Sequence, residues 1–223
     1  MNYKIININD AEYPQTLKQI YNPPQELYCI GDISLLNSFC IGIVGCRSAS
    51  KYGLKIAEIF SNGLSKNGIC IVSGMALGID AKAQETALLN IGKTIAVLGS
   101  GIDVVYPKEN IELYKSIVKK GGLIISEFKP GTLPSKYTFP KRNRIISGLS
   151  SGLLVIEAKK KSGTIITVDY AIEQGKNVYV IPGNIDSLNS VGTNELIKQG
   201  AKMVTNYLEI IEDCKSEINQ YLS

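Results

Sequence analysis

The chain holds 21 lysines but only three arginines, Arg47, Arg142 and Arg144. Lysine therefore serves wherever a plain positive charge is enough, and arginine marks particular places. A guanidinium is a planar fork of donors that grips phosphate bidentately and stacks on flat rings, which an ammonium does not do. Two of the three arginines fall in Thr138-Phe139-Pro140-Lys141-Arg142-Asn143-Arg144-Ile145-Ile146-Ser147-Gly148-Leu149, where Phe139 adjoins the basic cluster. Arginine beside an exposed aromatic is a common way to hold single-stranded nucleic acid. The same stretch reads as a helix start, with Pro140 in the first turn and Ile145, Ile146 and Leu149 as a buried stripe. Cations there oppose the helix dipole, and a bound anion would reconcile them.

Other chemistries are poorly served. Histidine is absent, which removes the commonest general base and metal ligand together. No metal-binding or catalytic constellation is expected, and no cofactor. Gly99-Ser100-Gly101-Ile102-Asp103-Val104 lacks the third glycine of a dinucleotide loop, and no GxxxxGK[ST] occurs, so the usual nucleotide loops are not supported. Cys29, Cys40, Cys46, Cys70 and Cys214 are odd in number, include no CxxC, and read as reduced core residues of a cytoplasmic protein. No apolar run approaches the ~18 residues of a membrane span, so no membrane partner is expected. Residues 129–161 carry eight Lys/Arg and one acid, a net +7 that leaves the rest of a +4 chain at −3. Such a stripe on a near-neutral body suits a polyanion.

The positioning elements follow from the order of apolar runs. Strand-like segments at Cys40 to Val44, Ile69 to Val72, Thr94 to Leu98, Leu123 to Ile125, Leu153 to Ile156, Val178 to Ile181 and Lys202 to Val204 alternate with helical patterns. This predicts an α/β fold: a doubly wound, mostly parallel sheet with helices on both faces. The strands end in Gly45-Cys46-Arg47, Ser73-Gly74, Gly99-Ser100-Gly101, Ser126-Glu127, Glu157-Ala158 and Pro182-Gly183. The carboxyl edge of an open parallel sheet is where ligands bind, and glycine lets backbone approach them closely. Ser162-Gly163-Thr164 opens a further helix and is a candidate phosphate seat, with a plain Ser162 cap as the simpler alternative. Asp80 and Asp103 read as caps or loop-fixing acids. Three regions are expected: residues 1–39 as a short extension packed on the core, 40–206 as the binding domain, and 207–223 as a helical tail. In the tail Leu208, Ile211, Ile218 and Leu222 could form an amphipathic face or simply pack on the sheet.

Taken together, Ile43-Val44-Gly45-Cys46-Arg47, Ser73-Gly74-Met75-Ala76-Leu77-Gly78-Ile79-Asp80-Ala81, Gly99 to Pro107, Phe139 to Leu149, Glu157-Ala158 with Ser162-Gly163-Thr164, Pro182-Gly183 and Gly192-Thr193-Asn194 resemble the DNA-processing protein A (DprA, or Smf) family. The resemblance runs from about Tyr13 to Val204. It implies an extended Rossmann-like fold, a homodimer, single-stranded DNA held in a basic pocket, and loading of RecA recombinase onto that DNA during natural transformation, with no enzymatic activity. The family's DNA-contacting arginine falls on Arg47, and its pocket lysine and phenylalanine fall on Lys136 and Phe139. Gln84 stands where the family usually has histidine.

The expected site is thus a DNA pocket formed by Arg47, Lys136, Phe139, Arg142, Asn143 and Arg144, with Gly45, Ser73, Gly74, Gly99, Gly101, Ser162, Gly163 and Thr164 shaping it. Arginines would clamp phosphates and Phe139 would stack on a base, contacts that tolerate any sequence. Two alternatives share the fold: a nucleotide-binding sensor, and a nucleoside monophosphate phosphoribohydrolase using Glu157 or Glu127 as its acid. The hydrolase's Pro-Gly-Gly-x-Gly-Thr-x-x-Glu signature is not matched, since Pro182-Gly183 continues with Asn184.

Overall fold

The computed structural model describes residues 2–222, except for the side chains of Gln220 and Leu222. Among the described residues nine strands form one sheet: β1 (Lys4–Asn7), β2 (Glu26–Gly31), β3 (Cys40–Val44), β4 (Cys70–Ser73), β5 (Thr94–Val97), β6 (Leu123–Ser126), β7 (Gly152–Val155), β8 (Asn177–Val180) and β9 (Lys202–Met203). Their order across the sheet is β1-β2-β6-β5-β4-β3-β7-β8-β9. The run from β6 to β9 is parallel, whereas β2 pairs antiparallel with β6 and β1 antiparallel with β2. Residues 4–31 thus extend the same sheet rather than standing apart from it.

The helices are α1 (Gln15–Lys18), α2 (Lys51–Lys66), α3 (Ile79–Ala87), α4 (Ile111–Lys119), α5 (Thr138–Leu149), α6 (Gly163–Glu173), α7 (Val191–Lys198), α8 (Tyr207–Asp213) and α9 (Lys215–Leu222). Successive strand residues point to opposite faces, so each apolar strand feeds two cores. Val44, Val72, Val97, Leu153 and Val155 pack with Leu17, Ile145, Leu149, Val168 and Leu196, which places α1, α5, α6 and α7 on one face. Ile41, Ile43, Ile71, Leu154 and Tyr179 pack with Ala57, Phe60, Ile79 and Ile210, placing α2, α3 and α8 on the other. Helix α4 covers the β5–β6 end of that second face through Leu113, Tyr114 and Ile117.

From β3 the chain winds outward through β4, β5 and β6, then returns through α5 to lay β7 against the free side of β3. The carboxyl ends of β3 and β7 are therefore the point where winding reverses, and the loops leaving them diverge to opposite faces. A crevice opens between such loops. The tail closes the far end: α8 begins with a capping box in which Asn206 and Glu209 satisfy each other's backbone donors, and Ile210, Cys214, Ile211 and Ile218 pack against α2's face of the sheet. Leu208 points outward, and Leu222 lies outside the residues whose side chains are described. Among the described residues, no helix is long and apolar enough to cross a membrane.

Candidate functional site

A cleft of about 410 Å³ occupies the reversal point, lined by Gly45, Cys46 and Arg47 after β3, Phe139, Arg142 and Asn143 of α5, Lys159 after β7, and Ser162, Gly163 and Thr164 at the start of α6. Arg47 is exposed, and its Cζ sits over the Phe139 ring, 5.2 Å from the centroid. Tyr106 also meets Phe139, 5.5 Å between centroids with the rings tilted by 40°. These three groups line a small recess of about 50 Å³ together with Gly74, Leu77 and Arg142. Arg47 and Phe139 also line the cleft, and their exposed cation–π contact is worth about 0.5–1 kcal/mol, with Tyr106 continuing the stack on Phe139.

The Arg47 loop is held from three directions. Glu157, almost fully buried after β7, accepts from both the backbone N–H and the hydroxyl of Ser50. Asn189 donates from one amide nitrogen to the Ser48 carbonyl, 3.0 Å, and to Glu157 Oε2, 3.2 Å. Below the loop Gly78 adopts φ +78°, where a side chain would be strained and its Cβ would also strike the Cys46 and Arg47 carbonyls. Ile79 at the start of α3 donates to the Cys46 carbonyl at 3.3 Å. These contacts fix the backbone on both sides of Arg47 and leave its side chain free to stand over Phe139.

At the other wall, Ser162 occupies the N-cap position of α6 but its side chain makes no capping bond. Its Oγ is buried without a hydrogen-bond partner, so the plain-cap alternative fails and the first turn of α6 faces the cleft uncapped by a side chain. Gly163 has open space around its α-carbon. Asn143 donates to the Gly163 carbonyl at 3.2 Å and accepts from Arg142 Nε at 3.1 Å, which ties α5 to that first turn.

The other expected residues are placed differently. Arg142 is buried; its Nη1 donates to the Gly74 carbonyl, 2.7 Å, and to the Val97 carbonyl, bracing the ends of β4 and β5. Burial pushes its guanidinium down to about 10, against the opposing pull of Asp80. Burial likewise raises the Asp80 carboxyl, with the Arg142 charge acting the other way. Asp80 Oδ2 accepts from the Gly74 N–H at 3.2 Å. Arg144 faces away from this cleft and donates through Nη1 and Nη2 to Glu127, at 3.1 and 2.8 Å, in an ion pair buried on both sides. Arg144 thus spends its fork on the protein itself, whereas Arg142 lines the cleft with its Nε and Nη1 already committed to the protein. Ser73 is buried and donates to the Ile43 carbonyl. A Cβ on Gly74 would lie 2.6 Å from Arg142 Nη1, one on Gly99 2.7 Å from the Phe139 ring, and one on Gly101 2.7 Å from the Lys129 carbonyl. These glycines make room for the chain's own α5 and neighbouring loop rather than for a ligand. Lys136 does not line the cleft; its Nζ sits over the Tyr137 ring, 5.2 Å from the centroid.

Residues 4–215 match the family model described as DNA recombination-mediator protein A. The chain belongs to the DNA recombination-mediator protein A family. DprA of Streptococcus pneumoniae is 44% identical over 207 residues, covering 93% of this chain and 73% of that protein, and its crystal structure superposes with a TM-score of 0.90. Protein Smf of Escherichia coli is 41% identical over 212 residues, 95% of this chain but 57% of that protein. A structure of DprA from Helicobacter pylori, described for its unique single-stranded DNA binding mode, aligns at TM-score 0.86 and 32% identity and covers 97% of each chain. The Rossmann-like sheet is thus the fold of this family.

Gln84, where the resemblance implies histidine, takes no part in the cleft. It is fully buried and its Nε2 donates to Thr94 Oγ1, 3.2 Å, and to the Ile95 carbonyl, 3.1 Å, joining α3 to the start of β5. That is the amino edge of the sheet, opposite the site. Tyr106, Lys159 and Asn189 belong to the site and escaped the sequence reading. Lys159 lies in the +7 stripe and Tyr106 in the Gly99 to Pro107 segment that carries the family resemblance, whereas Asn189 arrives from a loop whose approach only the fold defines.

Proposed function

We propose that this protein binds single-stranded DNA in the cleft at the β3–β7 reversal, without base specificity and without turnover. The observation that carries the reading is the stack of Arg47, Phe139 and Tyr106 beside the uncapped first turn of α6. A base has a π-face to insert or stack at the aromatic pair, and its phosphate finds Arg47, Lys159, the Ser162 hydroxyl and the α6 N–H groups. The family relation and the Helicobacter pylori structure support the same ligand class. We assign Arg47, Phe139, Asn143, Ser162, Gly163 and Thr164 to the DNA side; Gly45 lines the cleft, and its missing side chain makes room for Ile79. Arg142, Arg144, Ser73, Gly74, Gly99 and Gly101 hold the scaffold, and Lys136 supplies charge beside Tyr137.

The phosphoribohydrolase reading needs a carboxyl group facing a nucleotide. Glu157 is committed to Ser50 and Asn189, and Glu127 to Arg144 and Lys141, which favours holding over cleavage. In the cell we place the protein in the cytoplasm as a homodimer that loads RecA onto the strand it holds. Gel shifts with single- and double-stranded DNA of equal length test the binding; preference for the duplex would refute it. Free base released from nucleoside monophosphates would refute the absence of turnover. A monomeric mass at micromolar concentration, or no help to RecA on DNA coated with single-strand-binding protein, would refute the loading role.

A further inference from the structure

Helix α5 presents two faces at its amino end. At about 100° per residue, Phe139, Arg142, Asn143 and Ile146 share one side and line the cleft described above. Tyr137, Lys141 and Arg144 fall on the opposite side and line a second cleft of about 640 Å³. Pro140 sits between and lines both. The start of α5 is therefore a ridge, and the two clefts meet across it.

The second cleft has the chemistry of a base site. Tyr21 and Tyr137 are 94% and 74% exposed, and Tyr170 joins them on its wall. Lys141 and Lys176 stand at its sides, and Lys136 lies over the Tyr137 ring. Lys141 also reaches Glu127 at 3.3 Å, so part of its charge is spent. Gln19, Asn22 and Gln174 supply amide groups, and on its lining Arg144 Nε and Gln174 Oε1 are buried without hydrogen-bond partners. Glu173 on the α6 wall disfavours a phosphate deep inside. Tyrosine faces, amide edges and a basic rim suit a base held inside with its phosphates along the lysines.

We propose that this cleft is a second subsite for the same single strand, with Tyr137 and Tyr21 as stacking faces for a base beyond the one at Phe139. The proposal rests on single-strand binding at the first cleft. A strand that fills the first cleft must leave it, and Pro140 is the shared lip over which it reaches further aromatic and basic surface.

The test is an anisotropy titration of wild type, Tyr137→Ala, Tyr21→Ala, Tyr137→Phe and Phe139→Ala with oligothymidylates spanning about 4 to 16 nucleotides. On the longest strands both tyrosine-to-alanine variants lose roughly five- to a hundredfold in affinity, the range set by one missing stack. On the shortest strand that wild type binds they match wild type. Tyr137→Phe keeps the π-face and binds like wild type throughout, and thermal melts of all the tyrosine variants coincide with wild type. Tyrosine variants that match wild type at every length, while Phe139→Ala binds more weakly, overturn this subsite alone. Equal losses at all lengths overturn it too, since the tyrosines would then belong to the first cleft. If wild type binds no single strand, the first-cleft reading falls and takes this one with it.

Discussion

The Arg47 guanidinium stands 5.2 Å above the centre of the Phe139 ring, although the two residues lie on different elements that meet only because the sheet reverses its winding between β3 and β7. One loop brings the cation and one helix brings the ring. Everything proposed for the cleft depends on that meeting.

Arg47→Lys keeps the charge and gives up the planar fork and its stacking. Its affinity for single strands is expected to fall while the salt dependence of binding changes little. Arg47→Ala reduces both, with the slope of log K against log salt dropping by about 0.7 for the one single-strand phosphate no longer neutralised. Titrations at several salt concentrations give both slopes directly.

Arg142 gives the opposite pattern from an exposed phosphate clamp. Arg142→Ala leaves the Gly74 and Val97 carbonyls without their donor and Asp80 buried beside no cation. A buried carbonyl left without its donor costs roughly 1–3 kcal/mol, so urea unfolding should show a large fall in stability. A variant as stable as wild type with weakened DNA binding would return Arg142 to the DNA side.

Asn189 is expected to act only through Arg47. Asn189→Ala releases the Ser48 carbonyl and one hydrogen bond to Glu157, loosening the loop and lowering single-strand affinity several-fold. In a double-mutant cycle with Arg47→Ala that loss should vanish. Additive losses would mean that Asn189 touches DNA on its own.

Much of this was legible in the sequence. Apolar runs closed by glycine or small polar residues mark the parallel strands and the edge where the cleft lies, and Arg47, Phe139 and Ser162, which the fold brings together there, stand out by residue type and motif. Arg142 and Arg144 were not both readable as clamps. Residues two apart on a helix point to nearly opposite sides, so one cleft cannot receive both, and that much was available from their spacing. Their burial was not, because it depends on the Gly74 and Val97 carbonyls and on Glu127, which lie far away in the chain. The glycines after β4 and β5 look like ligand loops locally. Only the packed fold shows Arg142 and Phe139 filling the space they leave. Tyr106 carries no local mark of its stacking partner.

The most direct test of the account titrates wild type and Phe139→Ala with single- and double-stranded DNA of equal length. Wild type should prefer the single strand, and Phe139→Ala should lose roughly 1–3 kcal/mol of that binding, the worth of one stacked base, while melting like wild type. Equal affinity of the two proteins for the single strand, or a wild type that prefers the duplex, would contradict it.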